Sequence, residues 1–235
     1  MGSTIESVSQ RLRVTYRKHG PARYVAHLDL MRTWERAIRR ARLPLVYSQG
    51  FSPHPKLSMA APLPVGTAGE GEFIDLWLEP PVAFDEVRAR LSAALPDGIE
   101  VVGLTEVDEG TPNLQAASVA ARYEVRFAAS VLEAGRLAPL VAGLMALDAL
   151  DWEETRGGKI RRYDLRPPLL DAGVRSEDGT TILELRVSLR GGGSVRPSSV
   201  LAALGLAEIE PLLTTRVAIE LGEPSEETVV EDLDE

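Results

Sequence analysis

The sequence predicts an α+β protein made of two tandem ferredoxin-like domains, each with the element order β-α-β-β-α-β and an antiparallel sheet. Two observations support this prediction. The same order of strand-like and helix-like patterns occurs twice along the 235 residues, and a polar segment, EGTPNLQAA, separates the two occurrences. The length also suits two domains of about 100 to 120 residues each.

The first half contains the elements of one such domain. In residues 11–18, Leu12, Val14 and Tyr16 alternate with arginines, which is typical of a strand with one buried and one basic face. Residues 27–43 carry apolar side chains at helical spacing, and Pro44 ends that pattern. The other predicted elements are strands at 45–49, 57–63, 72–79 and 99–107, and a helix at 84–95.

The second half repeats this order with insertions around Pro167 and Pro168. A helix is predicted at 130–147, with Ser130 as N-cap, Glu133 completing a capping box and Pro139 kinking or dividing it. Gly157 and Gly158 indicate a tight hairpin turn. The predicted strands are 122–129, 150–156, 159–165, 181–190 and 212–221, and a short helix covers 196–206.

These elements predict the domain boundaries. Residues 1–10 are expected to be a disordered lead-in, and residues 11–108 form the N-terminal ferredoxin-like domain with its basic helix. Residues 109–118 are the linker, and 119–221 form the C-terminal domain. Residues 222–235 contain seven acidic side chains and no basic one, so we expect a disordered acidic tail.

The composition limits the possible chemistry. The chain has no cysteine, which excludes disulfides, thiolate nucleophiles, cysteine-ligated zinc and iron–sulfur clusters held by its own thiolates. No apolar stretch approaches the ~18 to 20 residues that a membrane helix needs. We therefore expect a cytoplasmic protein without a membrane partner, and nothing in the sequence predicts a cofactor.

Positive charge is concentrated near the start of the chain, although the whole chain has a formal net charge of −9. Residues 11–56 hold eleven basic residues against Asp29 and Glu35, a formal charge of +9, and they contain all three histidines. A basic region in an acidic protein usually faces an anionic partner. The basic residues are Arg11, Arg13, Arg17, Lys18, Arg23, Arg32, Arg36, Arg39, Arg40, Arg42 and Lys56.

The segment GFSPHPKLSMA, residues 50–60, has the composition of a stiffened loop. Each residue before a proline is restricted to extended backbone geometry, so Ser52-Pro53 and His54-Pro55 reduce the loop's freedom. We expect Phe51 and Leu57 to anchor the loop in the core and to hold His54 and Lys56 near the arginines. Three interpretations stay open: a loop packed on its own domain, an anion-binding loop and a catalytic loop.

These patterns give one set of candidate site residues, which we expect to lie on one accessible surface. His27 and His54 are weak catalytic candidates, although His27 and Asp29 also suit the cap of the first helix. The spacing of the histidines matches no compact metal site, so no metal ligand is predicted. Tyr16, Tyr24, Tyr47 and Phe51 are candidates for base stacking wherever they are exposed. The candidate nucleic-acid or anion-binding residues are Arg13, Arg17, Arg32, Arg36, Arg39, Ser52, His54 and Lys56.

The run YVAHLDLMRTWERAIRRARLPLVYSQGFSPHPKLSMAAPLPVGTAGEGEFIDLWL resembles the radical-SAM-linked protein family, a domain of unknown function fused to or encoded beside radical-SAM proteins. The similarity continues through KIRRYDLRPPLL and GGGSVRPSSVL and covers most of the chain. The resemblance implies a radical-SAM protein, often of a cobalamin-binding type, as the partner. This chain lacks the three-cysteine motif of such enzymes.

Three functions follow as hypotheses. The first is a non-catalytic RNA-binding accessory protein that works with a radical-SAM enzyme in RNA modification or processing. The second is a protein-docking subunit of that enzyme, without nucleic-acid binding. The third is a metal-free endoribonuclease that uses His54 or His27 as general base.

Overall fold

The computed structural model describes residues 9–51, 53–108, 110–156, 158–190 and 195–223. Ser52, Gly157 of the predicted hairpin turn, and most of the expected lead-in and acidic tail lie outside the described residues. The chain divides into two compact units. One comprises the residues up to Ala117 together with those from Gly222 onward, and the other is Ser118–Leu221.

The first unit has the element order β-α-β-β-α-β, followed by a short helix. Within this unit the strands pair in the order β4-β1-β3-β2, and each of these pairs is antiparallel. The elements are β1 (Gln10–Lys18), α1 (His27–Arg40), β2 (Leu57–Met59), β3 (Ala68–Leu78), α2 (Phe84–Ala94), β4 (Ile99–Glu106) and α3 (Leu114–Ala117).

The core of the first unit lies between the two long helices and one face of the sheet. The apolar face predicted for α1 is the buried one, and it includes Leu30, Trp34 and Ile38. The indole ring of Trp34 is fully buried and meets the ring of Tyr16 edge-on, with 5.0 Å between the ring centroids. Tyr16 is thus a core residue, and it is not available for base stacking.

The register between β1 and β3 assigns different residues to the two faces of this sheet. Leu12 lies opposite Leu76, and both belong to the core that the helices cover. Because side chains alternate along a strand, the neighbouring positions face away from the helices. There, Arg11 lies opposite Trp77, and Arg13 lies opposite Asp75.

The second unit also has a four-stranded antiparallel arrangement, with the strand order β10-β5-β9-β8. The pair β6–β7 forms a separate two-stranded sheet. The elements are β5 (Ser118–Ala128), α4 (Ala134–Met145), β6 (Asp151–Arg156), β7 (Lys159–Asp164), β8 (Leu169–Glu177), β9 (Thr180–Ser188), α5 (Pro197–Ala203) and β10 (Leu213–Leu221).

The α+β class is confirmed, and several local predictions are corrected. Residues 45–49 form isolated bridges at Leu45 and Tyr47 rather than a strand. The strand β8 was not predicted, because its sequence, LLDAGVRSE, shows no clear alternation. In the part of the chain that the structure describes, no helix is long and apolar enough to cross a membrane.

The predicted helix caps are also wrong. The N-cap of α1 is Ala26, which makes no side-chain cap bond, so neither His27 nor Asp29 occupies the capping position. The helix α4 begins after Glu133, because the preceding residues form a turn in which the N–H groups of Val131 and Leu132 donate to the carbonyl of Ala128. Pro139 lies inside α4, which continues through it to Met145.

Gly98 is a position where the fold of the first unit requires glycine. Its φ is +85°, and a Cβ there would lie 2.6 Å from the carbonyl oxygen of His19. The residues that follow β1 and precede β4 are joined here, because the His19 N–H donates to the Gly98 carbonyl at 2.9 Å. The neighbouring backbone therefore has little freedom to move aside.

We predict that Gly98→Ala destabilises the protein more than Gly66→Ala does. Gly66 has a φ of +86°, but a Cβ there would meet only a Tyr24 ring carbon at 3.9 Å. Left-handed backbone alone costs roughly 1–2 kcal/mol for an L-residue, and overpacking at Gly98 should add about 1–3 kcal/mol. Urea denaturation measures both, and equal losses for the two variants would contradict the prediction.

Candidate nucleic-acid interface

The loop singled out in the sequence is the end of a short hairpin, residues 45–57, which we call the Phe51 hairpin. The N–H of Ser48 donates to the His54 carbonyl at 2.8 Å, and the His54 N–H donates to Ser48 Oγ at 3.0 Å. Lower in the hairpin, the Lys56 N–H donates to the Val46 carbonyl at 2.8 Å. The Val46 N–H in turn donates to the carbonyl of Trp77 at 2.8 Å, which ties the hairpin to β3.

Phe51 lies at the end of this hairpin and points away from the core. Its relative exposure is 110 %, so the expectation that it anchors the loop in the core is wrong. Gly50, next to it, has a φ of +132°, a conformation that favours glycine. Leu57, at the other end, is half-buried and packs against the core as expected. Tyr47 and His54 are exposed beside the tip, and the hydrogen bonds of His54 to Ser48 involve its backbone alone.

The base of the hairpin carries a cation stacked on an aromatic ring. Lys56 Nζ lies 4.9 Å from the centre of the Trp77 ring, and the guanidinium carbon of Arg11 lies 5.1 Å from the same centre. The negative face of an indole attracts such cations. The sequence did not single out Trp77 as a site residue, although the alternation in EFIDLWLE places it on the same face as Asp75.

Asp75 is a buried carboxylate held by two arginines. Its side chain is fully buried, and Arg11 Nη2 and Arg13 Nε donate to it at 2.7 and 2.8 Å. Arg11 also donates to the backbone carbonyls of Thr111 and Pro112, in the segment before α3. Arg13 therefore has a structural partner, and its proposed role in anion binding stays a prediction.

The arginines of α1 lie on the other side of the sheet, on the solvent face of the helix. Arg32, Arg36 and Arg39 are exposed at a helical spacing of four and three residues. Arg32 Nη1 pairs with Asp29 at 3.1 Å, and Arg36 Nε donates to the Arg32 carbonyl. No described carboxylate pairs with Arg36 or Arg39.

The basic segment does not form one surface, which corrects that expectation. Arg11, Arg13 and Lys56 lie on the sheet face turned away from the helices, whereas the α1 arginines lie on the helix layer. Arg17 pairs with Glu70 at 2.8 Å, and His19 pairs with Glu100 at 2.9 Å. The guanidinium of Arg23 lies 4.8 Å from the Tyr24 ring centre, and Arg40 donates to the Ala94 carbonyl at the end of α2.

The corresponding sheet face of the second unit is occupied by its own ion pairs. Arg175 contacts Glu124, Glu177 and Glu184 at 2.7–2.9 Å, and these contacts raise the pKa of Arg175 above its ordinary value. Arg186 pairs with Glu220 at 2.7 Å, and this hydrogen-bonded contact lowers the pKa of Glu220. This surface offers little unpaired positive charge to a polyanion.

A cavity of about 510 Å³ lies along the hairpin β6–β7. The carboxylates that line it include Glu153, which pairs with Arg162 at 2.7 Å, and Asp164, which accepts hydrogen bonds from two backbone N–H groups. Tyr163 lies in the wall of this cavity. Burial raises the pKa of its hydroxyl, and the negative charge of Glu154 raises that pKa further. The lining residues are Asp151, Trp152, Glu153, Arg162, Tyr163 and Asp164.

The two candidate catalytic histidines lie on separate elements. His27 is the first residue of α1, and His54 is on the Phe51 hairpin. Among the described residues, no group of three or more histidine, aspartate or glutamate side chains is placed to hold a metal ion. Ser52, the remaining candidate, lies outside the described residues.

The fold and the candidate site define an α+β protein with two antiparallel units, the first of which carries a basic helix and a projecting hairpin. The chain belongs to the bacterial family described as "Uncharacterized protein conserved in bacteria (DUF2344)", which matches residues 11–197. No curated protein matches the chain.

A solved structure of an unknown protein from Galdieria sulphuraria is similar to the chain at 15% identity. The match covers 92% of this chain and 99% of that chain, with a TM-score of 0.28. A likeness at this TM-score supports no statement about fold or function.

We predict that Asp75→Asn lowers the free energy of unfolding by about 3–5 kcal/mol, because it leaves the guanidinium groups of Arg11 and Arg13 without their buried counter-charge. The matched control is Glu70→Gln, which removes the exposed partner of Arg17 and should cost less than about 1 kcal/mol. Urea denaturation of the full chain measures both losses. A loss for Asp75→Asn no greater than that of the control would contradict a central role for this cluster.

The ion pairs of the second unit predict a pH dependence of stability. Pairing lowers the pKa of Glu177 and Glu220 below the ordinary value of 4.5. The stabilisation is therefore fully present above that ordinary value and is lost as the pH falls through the lowered folded-state value. Glu220→Gln should be less stable than the natural chain at pH 7, and the difference should shrink as the pH falls below the ordinary value of 4.5.

Denaturation at a series of pH values tests this dependence. Glu208→Gln is the control, because Glu208 is exposed and pairs with no described cation. A stability difference for Glu220→Gln that stays constant across the pH series would show that the pairs do not contribute in this way.

Proposed function

We propose that this chain is a non-catalytic RNA-binding accessory protein that works with a radical-SAM enzyme. The observation that supports it best is the solvent face of α1, where Arg32, Arg36 and Arg39 are exposed and, among the described carboxylates, only Asp29 pairs with one of them. No aspartate or glutamate occurs in the 34 residues from Arg36 to Gly69. Arg36, Arg39 and the Phe51 hairpin therefore share a stretch of chain without local negative charge.

Arginine on a regular helix face suits the phosphate backbone of RNA. Its planar guanidinium donates two parallel hydrogen bonds to one phosphate and keeps its charge at any physiological pH. Arg32 and Arg39 are seven residues apart, which corresponds to roughly 10 Å along a helix. Such a row can follow a strand of phosphates, and its unpaired members lose no internal ion pair when they bind.

The architecture of each unit supports a ferredoxin-like assignment. The two four-stranded arrangements, β4-β1-β3-β2 and β10-β5-β9-β8, have equivalent strand orders. If the four strands of each are numbered from one to four in chain order, leaving out the separate pair β6–β7, both orders become 4-1-3-2. Some RNA-recognition modules bind bases on a four-stranded sheet. Fold analogy alone does not assign a function, so the proposal depends on the arginine row and the hairpin.

The proposed partner rests on the resemblance of residues 24–78 to the radical-SAM-linked family. The 235 residues hold no cluster through thiolates of their own, so we assign the radical chemistry on an RNA substrate to a radical-SAM partner. In this division of work, the accessory chain binds and positions the RNA.

Protein docking is the second candidate function, and the exposure of Phe51 favours it. A large apolar side chain on a pre-ordered hairpin can insert into a pocket of a partner enzyme as a binding hot spot. In that case the arginines would serve to orient the partner, and nucleic acid would not bind.

We predict that the natural chain binds a fluorescein-labelled 20-nucleotide RNA with an affinity that falls steeply as salt increases. Replacing Arg32, Arg36 and Arg39 together by glutamine should reduce the slope of log K against log salt by about 2, because each contact to a single strand contributes roughly 0.7. Fluorescence anisotropy between 25 and 200 mM KCl measures both slopes.

The matched control replaces three exposed arginines elsewhere, Arg88, Arg136 and Arg161, and removes the same charge. It should leave the slope within about 0.5 of the natural value, because long-range effects of net charge are screened. If the natural chain shows no RNA binding at 25 mM KCl, the proposed function is wrong.

A further inference from the structure

Phe51 is an aromatic ring with both of its faces accessible to solvent. Its relative exposure is 110 %, whereas aromatic side chains in the same unit, such as Tyr16 and Trp34, are buried. Leaving a phenyl ring in water brings no stability to the folded chain. The ring is therefore free to bind a partner.

Backbone hydrogen bonds close the hairpin below the tip that carries this ring. The Ser48–His54 pair of hydrogen bonds closes the end of the hairpin, and the bridge between Tyr47 and Pro55 extends it. Lys56, stacked on Trp77, holds the base. A pre-ordered element loses little conformational freedom on binding, so more of its contact energy appears as affinity.

The charge around the ring favours one class of partner. The hairpin carries Lys56 and His54 and no carboxylate, and the nearest acidic residues along the chain are Glu35 and Glu70. An exposed aromatic ring on a hairpin that also carries a lysine matches the chemistry of single-stranded nucleic acid, where bases stack on aromatic faces and phosphates pair with cations. A regular duplex offers no unstacked base for this ring.

We infer that Phe51 stacks on an unpaired base of single-stranded RNA while Lys56 contacts an adjacent phosphate. This inference rests on the proposed function and specifies its substrate class, since unpaired segments are recognised in preference to duplex. The ring supplies affinity without base identity, because every base has a stacking face. Selection of a particular sequence has to come from other groups.

The test compares two probes by fluorescence anisotropy at 50 mM KCl: a labelled 12-nucleotide oligouridine and a blunt 12-base-pair RNA duplex. Phe51→Ala should weaken oligouridine binding by about 5- to 150-fold and leave duplex binding unchanged. Phe51→Trp should restore oligouridine binding. Phe51→Leu should not, although it retains an apolar side chain of similar size.

A second readout reports stacking directly. An oligonucleotide with one 2-aminopurine should lose fluorescence when it binds the natural chain or Phe51→Trp, and it should lose less with Phe51→Leu. Because Phe51 is fully exposed, all variants should keep the circular dichroism spectrum and the urea midpoint of the natural chain. Equal binding of Phe51→Leu and the natural chain to oligouridine would overturn the inference.

The inference and the proposed function fail in different ways. Binding of oligouridine that Phe51→Ala does not weaken overturns the inference and leaves the RNA-binding proposal standing. Absence of binding to both probes overturns the proposal itself. If Phe51→Ala instead abolishes co-elution with a radical-SAM protein of the kind that the resemblance implies, and leaves oligouridine binding unchanged, the ring is a protein anchor and the inference is wrong.

Discussion

The buried carboxylate of Asp75 is the interaction on which the first unit depends most. It pairs with Arg11 and Arg13 on the sheet face opposite the helices, and Arg11 continues to the backbone carbonyls of Thr111 and Pro112. One charge thus connects β1, β3 and the segment before α3. Arg11 also lies against Trp77, whose ring holds Lys56 at the base of the Phe51 hairpin. The position of the hairpin is therefore coupled to a buried ion cluster, and hydrophobic packing alone does not determine it.

The fold was predictable from the sequence where one face of an element is apolar and the other polar. The helix α1 and the strand β1 follow their predicted patterns closely, because large apolar side chains such as Trp34 and Leu12 are stable only when they are buried in the core. Residues 169–177 show no such contrast, and β8 was missed for that reason. The predicted caps at His27 and Ser130 were wrong because the N-cap preference of a single residue is weak. Tertiary packing decides where these helices begin.

The candidate site was less predictable than the fold, because charge in a sequence does not reveal which charges pair. The sequence predicts a stiff projection with Phe51 buried at its base, whereas Phe51 is fully exposed. Local sequence gives no measure of how far the tip of a hairpin lies from the core. Arg13 and Arg17 looked equivalent to the α1 arginines, but their partners Asp75 and Glu70 lie more than 50 residues further along the chain. Such long-range pairings appear only when the register of the strands is known.

The two units have the same strand order but differ in how their charged side chains are paired. In the second unit, alternating arginine and glutamate on neighbouring strands neutralise one another across the sheet, as the contacts of Arg175 show. Cross-strand pairs of this kind stabilise an exposed sheet face and leave it without net attraction for a polyanion. In the first unit, β1 places arginines on a comparable face, where Asp75 pairs with Arg11 and Arg13 and Glu70 pairs with Arg17. On α1, no described carboxylate pairs with Arg36 or Arg39. A repeated strand order therefore does not imply that the two units share a function. This asymmetry of charge supports the proposal that the first unit binds an anionic partner, while the paired surface of the second unit is suited to stability.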